Sequence, residues 1–312
     1  MRNKFALAIM TLLLPIAIWG DPRRAVQANA EIQKPTNNGG DGSTPYPGFT
    51  GDPYTRDPRQ LITQEYFGNE WVNYLPEDSS VPSPYAHHGY IAGSTAQLTP
   101  YSGPKGTYDY FSTLAKSSPR VKMWNIGKSH AGLDMYIVAV ASADTIKRLD
   151  QYQQNLQKLA DPRKLGYPAK QMDADAAAEN LIVDAAKLKP IFWIFGKVHS
   201  SETGGGEMLM ELAYRLVVDK RPIFDEIRNN LIVFITDPNP DGTDMVANWV
   251  NHYAKDPVWK SREPSTSGPT AAMPFYNWYT QHDDNRDTFV NSQPEWENLI
   301  KANNEWPVQV QL

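Results

Sequence analysis

The chain has 312 residues, enough for one large domain, and its nine Trp and 16 Tyr residues supply ample material for a buried core. Its net charge is −5 and no stretch is strongly basic, which argues against a nucleic-acid-binding protein. It contains no cysteine, so disulfides, cysteine nucleophiles and thiolate ligands are excluded, and any metal site must use His and carboxylate side chains.

The first thirty residues have the pattern of an export signal. Arg2 and Lys4 precede an apolar stretch over residues 5–19, and Ala28-Asn29-Ala30 offers a small-residue cleavage site. The apolar stretch is shorter than the roughly 20 residues that span a bilayer, so it predicts a signal peptide over residues 1–30, with an uncleaved anchor as the alternative. We therefore expect an exported protein, periplasmic or extracellular, with no membrane contact beyond this segment.

Two further segments precede the expected domain. Residues 31–59 are rich in Pro, Gly, Asn, Thr and Asp and contain hardly any aliphatic residue, which predicts a flexible leader. Residues 60–105 carry aromatic residues among prolines, which predicts an irregular arm that lies on the domain. The domain itself is expected to occupy residues 106–312.

Hydrophobic periodicity predicts an alternation of helices and strands in this domain. The predicted elements are helix 108–115, strands 120–126 and 134–142, helices 145–160 and 173–186, strand 191–198, a helix from about residue 203, strand 230–236, helix 293–304 and a last strand 308–312. The two strands on either side of the Gly127 turn indicate a hairpin, and the two helices within residues 143–189 indicate an insertion that covers the domain.

Two polar residues follow the buried strand 191–198. His199 and Glu202 lie in a predicted strand-to-helix turn, because glycines and helical periodicity follow them. In an open α/β sheet, ligands bind beyond the carboxyl ends of the strands. An imidazole and a carboxylate three residues apart can face one divalent cation and form an incomplete zinc-type ligand set. The same spacing also arises by chance, so the position after a buried strand is what favours a metal site.

A second buried strand, 230–236, ends in the turn sequence from Asp237 to Gly242. Two parallel strands joined by one crossover helix open their following loops on the same edge of a sheet. We therefore expect residues 239–242 to lie near His199. Three other histidines, His87, His88 and His252, lie in loop-like surroundings and are not expected to bind metal.

Four stretches occur in a characteristic order: Gly127-Lys128-Ser129 with Gly132, His199-Ser-Ser-Glu202, Asn239-Pro-Asp-Gly242, and Asp283-Asp-Asn285-Arg286. Together they resemble the zinc carboxypeptidases of the M14 type, in particular a bacterial branch of that family. The resemblance covers residues 108–306. It implies an α/β fold with a mixed, largely buried sheet that is flanked by helices on both faces.

The resemblance also implies a zinc site. His199 and Glu202 match two of the three protein ligands of a single Zn²⁺ ion. Asp283 matches the carboxylate that accepts the other ring N–H of His199 and thereby sets its tautomer. The ion would activate water and polarise the scissile carbonyl group.

Further residues match the groups that handle the substrate. Asn285 and Arg286 match the pair that holds the terminal carboxylate of a peptide, which makes the cleavage exopeptidic. Arg262 or Lys260, in a stretch that matches more loosely, is the candidate for the cation near the developing oxyanion.

Two parts of the family pattern are not found in the sequence. The third ligand is a His on a strand after the Asn-Arg motif, and the general base is a Glu further on; residues 306–312 resemble only the beginning of that strand. The resemblance therefore implies a C-terminally truncated member with an incomplete fold, which binds zinc weakly or not at all and is inactive.

The function that the resemblance implies is a zinc-dependent metallocarboxypeptidase, a hydrolase that releases C-terminal residues. Its substrates are expected to be peptides or peptidoglycan stem peptides with a free terminal carboxylate. Two alternatives stay open: a non-catalytic protein that binds peptide carboxylates through Asn285 and Arg286, and a deacylase of acylated amino acids. The sequence predicts neither the preferred side chain nor the oligomeric state.

Overall fold

The computed structural model describes residues 76, 78–90, 92, 97–184, 186–253 and 284–312. The elements in these residues are α1 (Pro84–His88), α2 (Thr107–Ser117), β1 (Val121–Lys128), β2 (Asp134–Val140), α3 (Ala143–Lys147), α4 (Leu149–Ala160), a 3₁₀ turn (Pro162–Leu165), α5 (Gln171–Ile182), β3 (Ile191–Phe195), α6 (Thr203–Val218), α7 (Pro222–Asn230), β4 (Ile232–Thr236), α8 (Pro240–Tyr253), α9 (Asp284–Val290), α10 (Pro294–Glu305) and β5 (Val310–Gln311). The predicted signal peptide, the leader and much of the predicted arm lie outside the described residues.

The described strands form one mixed sheet in the order β1-β2-β4-β3-β5. β2 is antiparallel to both β1 and β4, which makes β1 and β2 the predicted hairpin. β3 is parallel to both β4 and β5. The expectation of a mixed α/β sheet is thus confirmed, and the parallel pair β3–β4 is the part that positions the candidate site.

Both faces of the sheet are covered by helices. On β2, the side chains of Tyr136 and Val138 enter a core with α2 and α6, whereas those of Ile137 and Ala139 enter a second core with α4 and α10. Successive strand residues point to opposite faces, so a strand covered on both sides reads as a continuous apolar run. The predicted helices on both faces are confirmed. Among the described residues, none of the helices combines the length and the apolar character that crossing a bilayer requires.

Two predictions of single helices were wrong. The predicted helix 145–160 is divided at Arg148, whose backbone leaves the helical conformation (φ −109°, ψ 15°) between α3 and α4. Two helices, α6 and α7, also connect β3 to β4 in place of one crossover helix. Between them, the fully buried Asp219 accepts a hydrogen bond from the Arg221 backbone N–H (2.9 Å), and Pro222 begins the new helix because proline suits the first turn.

Candidate metal centre

A close crossing of two chain segments forms the base of the candidate site. β3 ends at Phe195, three residues earlier than predicted, and the chain then turns and enters α6 at Thr203. A Cβ atom on Gly205 would lie 2.6 Å from the carbonyl carbon of Gly196, so the first turn of α6 rests directly on the end of β3. Only glycine allows this approach, because any side chain at residue 205 would overlap the backbone.

His199 and Glu202 converge in the turn that follows. The His199 Nδ1 atom lies 2.8 Å from the Glu202 Oε1 atom, and the side chains are 26% and 52% exposed. The other carboxylate oxygen, Oε2, accepts hydrogen bonds from the backbone N–H groups of His199 (3.1 Å) and Val198 (3.3 Å). The turn therefore orients the carboxylate through one oxygen and leaves the other beside the imidazole, at the protein surface.

The charge of Glu202 follows from these contacts. Partial burial raises the pKa of Glu202, but hydrogen bonds from the His199 ring and from the His199 and Val198 amides act in the opposite direction and prevail. The pKa therefore lies below its ordinary value, and the carboxylate is ionised near neutral pH. An ionised carboxylate is the form that binds a metal ion.

These two side chains fit a partial zinc site. An imidazole nitrogen and an ionised carboxylate oxygen are both ligands that zinc accepts, and the turn presents them together. Within the part of the chain that the structure describes, no group of three His or acidic side chains is placed to hold a metal ion. Two of the other histidines, His87 and His88, lie in α1, where both rings pack against Tyr110.

Asn239 connects this turn to the end of β4. Its side-chain Nδ2 donates to the Val198 carbonyl oxygen (2.9 Å), and its Oδ1 accepts from the Gly242 backbone N–H (2.8 Å). Residues 240–242 are the first turn of α8, so the predicted turn is in fact a capped helix start. The predicted closeness of residues 239–242 to His199 does hold, because the parallel strands β3 and β4 end side by side.

Asn239→Ala is expected to lower the free energy of unfolding by about 1–2 kcal/mol, because it removes the helix cap and leaves the partly buried Val198 carbonyl without this donor. Asn239→Ser is the matched control, since serine keeps an oxygen for the cap but is too short to reach Val198. We expect an intermediate loss for serine, measured by urea unfolding. A serine variant as stable as the wild type would show that the contact with Val198 contributes nothing.

Two of the predicted substrate-binding residues lie in the described part of the chain. Asn285 is half-buried and Arg286 is exposed, both in α9. The next residue, Asp287, is fully buried, and its carboxylate accepts hydrogen bonds from the backbone N–H groups of Ser292 and Gln293. This contact, which the sequence analysis missed, attaches α9 to the start of α10. Asp283, Lys260 and Arg262 lie outside the described residues.

Comparison with known proteins points to one family. The model of the M14 peptidases, described as zinc carboxypeptidase, matches residues 107–311. No curated protein matches the chain. Among solved structures, it is similar to a metallo-carboxypeptidase from Burkholderia cenocepacia (14% identity, TM-score 0.39, covering 68% of this chain and 40% of that one). It is also similar to carboxypeptidase A from Helicoverpa armigera (17% identity, TM-score 0.36, covering 68% and 45%). The chain spans less than half the length of either protein.

Proposed function

We propose a function from one premise: this chain belongs to the zinc carboxypeptidase family, whose model matches residues 107–311. The proposed reaction is the hydrolysis of the last peptide bond of a peptide, which releases the C-terminal residue. The convergence of His199 and Glu202 at the end of β3, within the matched region, is the observation that supports this most directly. The chain spans less than half the length of the two solved structures described above. The activity is therefore proposed for a protein that contains the whole family domain.

In this proposal His199 and Glu202 hold the zinc ion. The backbone N–H groups of Val198 and His199 hold the Glu202 carboxylate in place. Because the pKa of Glu202 is lowered, this carboxylate is ionised and can bind the metal ion. Asp283 would accept the other ring N–H of His199 and fix which ring nitrogen faces the metal. When bound, zinc makes a coordinated water molecule more acidic and polarises the carbonyl group.

The substrate would be held by its terminal carboxylate. Arg286 and Asn285 are presented on α9, which Asp287 attaches to α10, and a guanidinium group can bind a carboxylate through two parallel hydrogen bonds. Arg262 or Lys260 would stabilise the oxyanion. The proposed substrates are peptides or peptidoglycan stem peptides with a free C-terminus, met after export to the periplasm or the extracellular space.

For the chain by itself we propose weak zinc binding and no turnover. His199 and Glu202 are two protein ligands, whereas catalytic zinc sites use three together with a water molecule. The competing function, peptide binding without cleavage, depends on Arg286 and requires no metal. Zinc dependence therefore separates the two functions.

His199→Ala is expected to weaken zinc binding by at least about 100-fold, because even residues that only support a ligand change metal affinity by 10–100-fold. His252→Ala is the control, since this exposed histidine lies in the last turn of α8. Zinc titration with a competing chelator measures both variants. The proposed site is wrong if the two variants bind zinc equally well.

A further inference from the structure

Two buried carboxyl groups lie beneath the loop of the β1–β2 hairpin, and neither belongs to the residues assigned to the metal site. Asp241 is in the first turn of α8 and is 3% exposed. Glu295 is in the first turn of α10 and is 1% exposed. Neither carboxyl group has a role in the proposed reaction.

Both carboxyl groups hold the same loop, residues 129–133. The backbone N–H of His130 donates to Glu295 Oε1 (2.9 Å), and the next N–H, that of Ala131, donates to Asp241 Oδ2 (2.8 Å). The two amides are consecutive in the chain, and the carboxyl groups are close enough for the Asp241 charge to act on Glu295. They join the hairpin to two helices, α8 and α10.

The second oxygen of each group has no donor among the described residues. Glu295 Oε2 and Asp241 Oδ1 are buried and accept no hydrogen bond from the described residues. Two neighbouring buried carboxylates, each with an oxygen that has no donor, would be costly if both were ionised. The buried Asp287 differs, because both of its carboxylate oxygens accept hydrogen bonds from the amides of the two residues that precede α10.

The surrounding groups favour a proton on Glu295. Burial raises the pKa of Glu295, and the Asp241 carboxylate raises it further. The amides of His130 and Glu295 and the His130 ring act in the opposite direction, but the pKa remains above its ordinary value of 4.5. Protonation would turn one of the two oxygens without a donor into a donor.

We propose that the Asp241–Glu295 pair, which binds two consecutive amides and has two buried oxygens with no donor among the described residues, is a pH-sensitive clamp on loop 129–133. The same helix, α8, is capped by Asn239, which contacts Val198 next to His199. The clamp thus joins the hairpin loop to the helix that supports the candidate metal centre.

The direction of the pH effect follows from proton linkage. Glu295 binds its proton more tightly in the folded state than in the unfolded state. Its contribution to stability is therefore fully present below the ordinary pKa of 4.5 and is lost as the pH rises through the folded-state pKa. We expect the clamp to be tight in acid and to loosen as the pH rises.

The test compares Glu295→Gln with the wild type in thermal unfolding at pH 5 and pH 8. Glutamine keeps an oxygen for the His130 amide and adds a permanent N–H donor toward Asp241. The quantity compared is the melting temperature of the variant minus that of the wild type. We expect this difference to be about 2–4 °C more positive at pH 8 than at pH 5. Glu297→Gln, at an exposed position two residues further along α10, should show no such gain.

If the melting temperature of Glu295→Gln differs from that of the wild type by the same amount at pH 5 and at pH 8, the proposal is wrong. If Glu295→Gln does not fold, ¹³C NMR titration of the glutamate carboxyl groups in the wild type and in Asp241→Asn decides instead. We expect one glutamate to titrate above the ordinary value of 4.5 in the wild type and at lower pH in the variant. A titration that Asp241→Asn leaves unchanged would refute the clamp.

Discussion

Gly205→Ala is expected to prevent folding or to lower the melting temperature by about 10 °C, which corresponds to a loss of more than about 3 kcal/mol. The added Cβ would overlap the Gly196 carbonyl group, and neither backbone can move aside by rotating a side chain. To relieve the overlap, α6 would have to move off the end of β3, and the turn with His199 and Glu202 would move with it. Thermal unfolding and zinc titration measure the two consequences separately.

Gly204→Ala is the matched control for this substitution. It changes the neighbouring residue of the same helix in the same way, but a Cβ at residue 204 meets nothing within 4 Å. Because alanine is a better helix former than glycine, the control should be neutral or gain up to about 1 kcal/mol. If Gly204→Ala and Gly205→Ala melt at the same temperature, the close crossing with Gly196 does not support the site.

Arg286→Ala is expected to reduce the affinity for a short peptide with a free C-terminus roughly 10- to 100-fold, since a hydrogen bond between charged groups contributes about 1.5–3 kcal/mol. The same peptide with an amidated C-terminus should bind the wild type and the variant equally weakly. Arg286→Lys should recover part of the affinity, because an ammonium group keeps the charge but loses the planar pair of donors. Isothermal titration with and without added zinc makes the measurement.

Arg163→Ala is the control for Arg286→Ala, because Arg163 is an exposed arginine of the 3₁₀ turn Pro162–Leu165 that pairs with Asp161. It should leave peptide affinity unchanged. An affinity that zinc leaves unchanged in the wild type, and that Arg286→Ala reduces to the same extent with and without zinc, would favour the carboxylate-binding function over the enzyme. Equal affinity for the free and amidated peptides in the wild type would remove Arg286 from the substrate site.

Much of the fold could be predicted from the sequence because its signals are local. The continuous apolar run from Ile191 predicted the buried strand β3, and the residues after it predicted a turn and then a helix. Element boundaries were less certain. β3 ends at Phe195 rather than residue 198, since the strand pairs with β4 only as far as Thr236. Arg148 divides a helix that periodicity alone shows as continuous.

The candidate site was predictable only in part, because only some of its contacts are between residues that are near in the chain. His199 and Glu202 are three residues apart, so their meeting depends on one turn that the local sequence already indicates. The contact of Asn239 with Val198 spans 41 residues and needed the pairing of β3 with β4. The contact of Asp287 with the Ser292 and Gln293 amides was missed, although the start of α10 at Pro294 is a local signal near which such a partner could have been sought.

The sequence by itself determined the order of helices and strands and the position of an imidazole and a carboxylate after a buried strand, because hydrophobic period and turn chemistry act between near neighbours. Only the tertiary structure decided that α6 rests on Gly196 and that Asp241 and Glu295 hold one loop together. The two carboxyl contacts join residues that are 165 and 110 positions apart in the chain, and the contact of Gly205 with Gly196 forms only when α6 packs on the end of β3. They arise where helices pack on the sheet, at positions that no local pattern specifies.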